Sequence, residues 1–327
     1  MKRTFFITLA MLTLMACSGE DPVYWYDAGS SDGAAGSNVP YYPEKPSEDD
    51  DSQQTPVDDG YTPDGYTLTW SDEFNSQANL YSQWNFNVGG TGWGNNELQY
   101  YCENGIYTPT GQQTASVSDG TLKIKAYKIT PSSQSDNCEY ISARMDTKEG
   151  WEHGYIEMRA KLPTTKGCWP AFWMLPSDGP YWVQDPTGWG GEIDIMEYVP
   201  NDGPRRIYFS AHCHDATRAA GVDTGYIDPT TGKKYSYSQH KDIDNPGDWH
   251  CYGMEWTSDY IRGYIDGVEY FYAPNPNPGK VYQYSWPFDQ KFYIKLNLAI
   301  GGDWGGEVAA GFTEATYEID WVRVYQK

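Results

Sequence analysis

Residues 191–198 read Gly-Glu-Ile-Asp-Ile-Met-Glu-Tyr, which puts Glu192, Asp194 and Glu197 within six positions of an otherwise apolar, β-prone segment. A strand buried on both faces is nearly all apolar, and charged side chains are almost never buried without a partner. One face of this strand therefore meets a wet cleft, or the strand carries a working cluster of carboxylates. Alternate side chains share a face, so Glu192 and Asp194 point the same way and Glu197 falls one step out of phase. A β-bulge around Ile195-Met196 supplies the missing step and brings all three onto one face. The outer two then stand four regular steps apart, roughly 13 Å at the Cα atoms. Leaning toward each other, their carboxyl groups approach the ~5–5.5 Å that suits a nucleophile and a proton donor in retaining glycoside hydrolysis. The same spacing also fits an edge strand with solvated acids.

The elements that must hold these acids are strands. Segments 66–70, 121–126, 154–162, 261–271, 291–298 and 319–325 are short and β-prone, and Gly, Pro, Asn and Asp clusters separate them. Asp266-Gly267 fits a two-residue hairpin turn. No stretch of useful length has a helical 3.6 period. Many short strands with polar turns predict an all-β sandwich or barrel over residues 65–327. Aromatic residues are 16% of the chain, with 14 Trp and 29 Tyr. Such rings combine a flat apolar face with a polar handle, which suits the C–H faces and hydroxyl rims of sugars, although many of them must also fill the core.

Before that domain the composition changes. Residues 1–16 have a basic start and a short apolar run, the pattern of a secretory signal. The run ends at Cys17. Residues 17–64 are rich in Ser, Gly, Pro and Asp, and residues 18–64 carry twelve acids against one base, half of the net charge of −22. This composition buries too little apolar surface to offset its ordering entropy and predicts an extended tether. The domain itself is also acidic, which argues against nucleic acid as a partner. Five cysteines follow Cys17, at 102, 138, 168, 213 and 251, so at least one thiol stays unpaired, and no spacing suggests zinc.

Several segments, taken in order, resemble glycoside hydrolase family 16, nearest its laminarinase-like members. They are residues 70–75, 92–101, 142–144, 169–175, 191–198, 293–304 and 320–325. The resemblance implies a β-jelly roll, two curved antiparallel sheets with a concave glycan cleft. It assigns Glu192 as nucleophile, Glu197 as acid/base and Asp194 as the residue assisting the nucleophile. It further implies substrate contacts from Asn96, Arg144, Trp169, Trp173, His212, Trp93 and Trp304, with Glu97 in the same loop as Trp93. No cofactor is implied for catalysis. A structural calcium is implied at Glu73, the backbone of Gly120 and Asp320. The implied substrate is a β-1,3- or mixed β-1,3/1,4-glucan, and a galactan- or mucin-cutting enzyme and a non-catalytic glycan binder are the alternatives. Leu14-Met15-Ala16-Cys17 resembles a bacterial lipoprotein signal with Cys17 lipidated. The acids after it resemble a surface-export signal, so the expected location is the outer membrane, held only by lipid, with periplasmic or secreted protein as the alternative and a monomer as the expected state. Residues 177–189 and 203–245 are expected to be loops that rim the cleft.

Overall fold

The strand Phe292–Ile300 shows how the domain is built. Phe292, Ile294, Leu296, Leu298 and Ile300 are fully buried in the core, whereas Tyr293, Lys295 and Asn297 take the opposite face. This period of two is the signature of a strand with an apolar face and a working face. The computed structural model describes residues 64–327 apart from 182–184, 186, 214–224, 228–233, 237, 277 and 280–284. The signal and tether residues 17–63, Cys17 among them, lie outside the described residues.

Phe292–Ile300 sits within a seven-stranded antiparallel sheet. In spatial order its strands are Ser238–Asp242, Arg206–Cys213, Gly191–Tyr198, Cys168–Pro176, Phe292–Ile300, Arg144–Trp151 and Trp84–Phe86. A ten-stranded sheet backs it, with Val268–Pro274, Tyr260–Ile265, His250–Trp256, Gly154–Lys161, Glu314–Gln326 and Thr121–Lys128 following one another from one edge. The jelly-roll expectation is met. The two inner faces interdigitate, as in Phe209 stacked on Phe271 at 4.3 Å and Trp256 against Phe292 at 5.5 Å. Gly263 makes the first contact possible, because a Cβ there would lie 2.4 Å from the Phe209 ring. Asp266 and Gly267 both adopt positive φ, 49° and 72°, at the hairpin turn read from the sequence.

Two readings need correction. Residues 203–245 are not simply a loop, since Arg206–Cys213 and Ser238–Asp242 are strands of the seven-stranded sheet. The signal is the alternation Ile207, Phe209, Ala211 and Cys213, all fully buried, interleaved with polar residues. A short helix, Gln77–Gln83, precedes the Trp84 strand. The Ser76 hydroxyl caps it by accepting from the Ala78 amide at 3.2 Å, and Leu80 alone is buried. Among the described residues no disulfide forms, and Cys102, Cys138, Cys168, Cys213 and Cys251 are thiols.

Candidate active site

The strand Gly191–Tyr198 carries the bulge its sequence requires. Against the next strand Asp194 pairs with Ser210 but Glu197 with Tyr208, three residues facing two. On the other side Met196 pairs with Phe172 and Asp194 with Trp173, so Ile195 is the extra residue. Ile195 and Met196 both turn inward and are buried. That double inward step puts Glu197 back in phase with Glu192 and Asp194. The outer glutamates pair with His212 and Tyr208, four regular steps apart and therefore about 13 Å at the Cα atoms.

Around the acids the polar contacts are specific. Trp169 Nε1 donates to Glu197 Oε1 at 3.0 Å. His212 Nε2 lies 3.0 Å from Asp194 Oδ2. Trp173 Nε1 donates to Asn297 Oδ1 at 2.7 Å. The Arg144 guanidinium lies 4.7 Å from the centre of the Trp93 ring and 4.9 Å from that of Trp173, within cation–π range of both. Lys295, only 2% exposed, bonds Asp146 and lies 3.3 Å from Asn87 Oδ1.

These surroundings separate the two glutamates. Burial, and then the Asp194 charge, raise Glu192 to about 7, while His212, Arg144 and Lys295 pull it down. Burial and Asp194 also raise Glu197, well above the carboxylate range; the Trp169 hydrogen bond opposes this, and no arginine or lysine ranks among its main influences. Like charges that share a small site ionise in separate steps. Glu192, with three cations acting on it, is the easier to ionise, and Glu197 holds its proton. Burial opposes the His212 charge, but the Asp194 hydrogen bond and the three acids outweigh it and lift His212 to about 9. More than a third of that side chain still meets solvent, which weakens the pair.

The family model described as glycosyl hydrolases family 16 matches residues 102–323. The chain belongs to glycoside hydrolase family 16. It is 37% identical over 276 residues to a glucan endo-1,3-beta-glucosidase of Cryptopygus antarcticus, an alignment covering 79% of this chain and 91% of the relative. The solved laminarinase from Rhodothermus marinus is similar at 34% identity and a TM-score of 0.64, over 80% of this chain and 97% of that one. A Z. galactanivorans structure in complex with laminaritriose and laminaritetraose is similar at 29% identity and a TM-score of 0.61, over 80% of this chain and 99% of that one.

In this glycoside hydrolase the residues expected to bind sugar fall into two groups. Arg144, Trp93 and Trp173 stack together as described, while Trp169 packs edge-on against Trp304 at 5.3 Å and Trp304 against Tyr208 at 4.9 Å. Asn96 is exposed and donates to both oxygens of Asp303, at 2.9 and 3.1 Å, tying the 92–98 loop to the short helix Gly302–Gly305. Glu97 is buried beneath that loop, accepting from Gln99 at 2.7 Å and Tyr101 at 3.2 Å, so it supports the loop.

The expected calcium donors do not fit a cation as they stand. Both oxygens of Glu73 accept from Arg323, at 2.8 and 2.9 Å, and Asp320 accepts from Arg159 at 2.6 Å. Arg323 thus occupies both oxygens of Glu73, whereas Arg159 engages only Oδ2 of Asp320. Elsewhere Glu192, Asp194 and His212 place ligand atoms within 4.8 Å of one another, but His212 is committed to Asp194. Cys213 turns into the core, and His214 lies outside the described residues. The sequence reading missed Tyr208, Asn297, Asp146 and Lys295. The last two pair across neighbouring strands, and the polar alternation at 293, 295 and 297 is the signal that could have found Lys295.

Proposed function

We propose that this glycoside hydrolase is an endo-acting β-1,3(4)-glucanase that cuts laminarin-like and mixed-linkage glucans with retention of configuration. The observation that carries the mechanism is the unequal setting of the two glutamates: His212, Arg144 and Lys295 act on Glu192, whereas Glu197 has the indole hydrogen bond of Trp169 and, among the cations, His212 alone. Glu192 attacks the anomeric carbon as the carboxylate. Glu197 gives its proton to the leaving oxygen as the glycosidic bond breaks, leaving a glycosyl ester on Glu192. Glu197, now anionic, takes a proton from water, and the hydroxide equivalent displaces Glu192 from the anomeric carbon. Asp194, held by His212, raises the proton affinity of both neighbours and lies between them. Trp173, Trp93 and Arg144 form a stacking wall on one side, and Trp169 and Trp304 form another beside the acid/base.

The glucan assignment is supported by the names and bound oligosaccharides of the relatives. Its test is hydrolysis of laminarin, barley glucan, agarose and mucin glycans with product sizing and early NMR of the anomers. Internal cleavage of the first two with β-anomers appearing first is expected. Activity confined to agarose or mucin glycans overturns the substrate, and α-anomers first overturn the mechanism. From its N-terminal sequence we also propose an outer-membrane lipoprotein anchored through Cys17. Cys17→Ser should then release the protein from membranes.

A further inference from the structure

One of the three cations that act on Glu192 is held in a way the mechanism above leaves unexplained. Lys295 lies on the cleft face of its strand, in one cross-sheet row with Asp146, Trp173 and Asp194. Its stem and ammonium are almost wholly buried. The ammonium bonds Asp146, lies 3.3 Å from Asn87 Oδ1, 5.2 Å from the centre of the Trp173 ring and 5.0 Å from that of Tyr293. Asn87 Nδ2 also donates to Asp146 Oδ2 at 2.7 Å, which closes a three-residue network.

Packing alone does not account for a charge here. A methionine would fill the same space without desolvating an ammonium, and buried ion pairs are often no more stabilising than apolar residues of the same volume. The site is costlier still because Arg144, a second cation, lies on the same Trp173 ring. Burial, and then Arg144, pull Lys295 down to about 8 against the opposing pull of Asp146. A cation kept in an unfavourable place, across the Trp173 strand from Asp194 in the same cross-sheet row, points to an electrostatic task.

We propose that Lys295 is a positioning residue for the reaction: anchored by Asp146 and Asn87, its ammonium holds the Trp173 ring and, with Arg144, keeps the nucleophile Glu192 ionised. The groups that act on Glu192 are Asp194 and Glu197 on its own strand, His212 on one side, and Arg144 and Lys295 on the other. Lys295 acts through Glu192 and Trp173 and does not touch the reacting atoms. The inference rests on the glucanase reading above, so the wild type is measured alongside every variant.

The test is the pH profile of kcat/KM on laminarin for Lys295→Met, Asp146→Asn and the double variant. The acid limb belongs to the free enzyme's carboxylate pair. With Lys295→Met the limb moves up by about half a pH unit, so that on the acid side the rate, relative to its own plateau, falls about threefold. Asp146→Asn removes the counter-charge and moves the limb the other way. The double variant buries no charge at this point and its opposite shifts offset each other, so its limb lies between those of the single variants, which separates the effect from misfolding. A purely structural role lowers the plateau and leaves the limb in place. A Lys295→Met limb unmoved from wild type, whatever its plateau, overturns the proposal. An inactive wild type overturns the glucanase reading instead.

Discussion

Replacing Trp169 with Phe isolates one hydrogen bond to Glu197, the proposed acid/base. The variant keeps an aromatic ring against Trp304 and removes only the Nε1 donor that lies 3.0 Å from Glu197 Oε1. That bond favours the ionised carboxylate, and a hydrogen bond to a charged group contributes about 1.5–3 kcal/mol. Glu197 is part-exposed in its cleft, so the lower end applies, which corresponds to about one pH unit. The sign follows from the role. Glu197 must carry a proton to start the reaction, and loss of a bond that favours the anion raises its proton affinity. The alkaline limb of kcat/KM therefore moves up by about one unit. One pH unit above the wild-type limb, the wild type retains about a tenth of its plateau and Trp169→Phe about a half. The measurement is initial rates on laminarin across the pH range, with circular dichroism to show an intact fold. An alkaline limb that stays put, or moves down, in a folded and active variant refutes the assignment of Glu197 as the proton donor held by Trp169.

Other outcomes follow from the same site. Glu192→Gln abolishes turnover while calorimetry still detects laminari-oligosaccharide binding; appreciable residual turnover would remove Glu192 from the nucleophile role. The same variant is more thermostable than wild type at pH 8. Glu192 titrates higher in the folded than in the unfolded state, so its contribution is complete below its unfolded value and is lost as pH rises through about 7. Gln removes that loss, about 2 kcal/mol after discounting for solvent, or roughly 4–8 °C in Tm for a domain of this size; equal melting temperatures at pH 8 would contradict it. Deleting Ile195 removes the bulge but leaves Glu192, Asp194 and Glu197 at alternate positions of a regular strand, still on one face, so kcat on laminarin stays well above that of Glu192→Gln, and Ile195→Val keeps the register and most of the activity.

Much of the site was readable because its key residues are local. The three acids lie within one strand, and their broken period-two spacing could be repaired only by an extra residue, which the pairing of Ile195 supplies. The Asp266-Gly267 turn was readable for the same reason, since two adjacent residues decide it. What stayed hidden depends on register between strands far apart in sequence. The Lys295–Asp146 pair joins residues 149 positions apart, and the Trp173–Asn297 bond spans 124. Strand spacing says which face a side chain takes, but not which neighbour it meets. The calcium reading shows the limit from the other side, because Arg323 and Arg159 reach the very carboxylates that were expected to hold an ion.

The alternation along Phe292–Ile300 has a practical meaning. Even-numbered positions write the interior and odd-numbered ones write the cleft, so the strand holds two nearly independent texts in one stretch of nine residues. A library varying 293, 295 and 297 edits the cleft face and the network beneath it and leaves the fold's own letters unread. One inserted or deleted residue exchanges the two texts at once. The strand should therefore accept more spellings at Tyr293 than at Lys295 or Asn297, which are tied to Asp146 and Trp173, and almost no change of length.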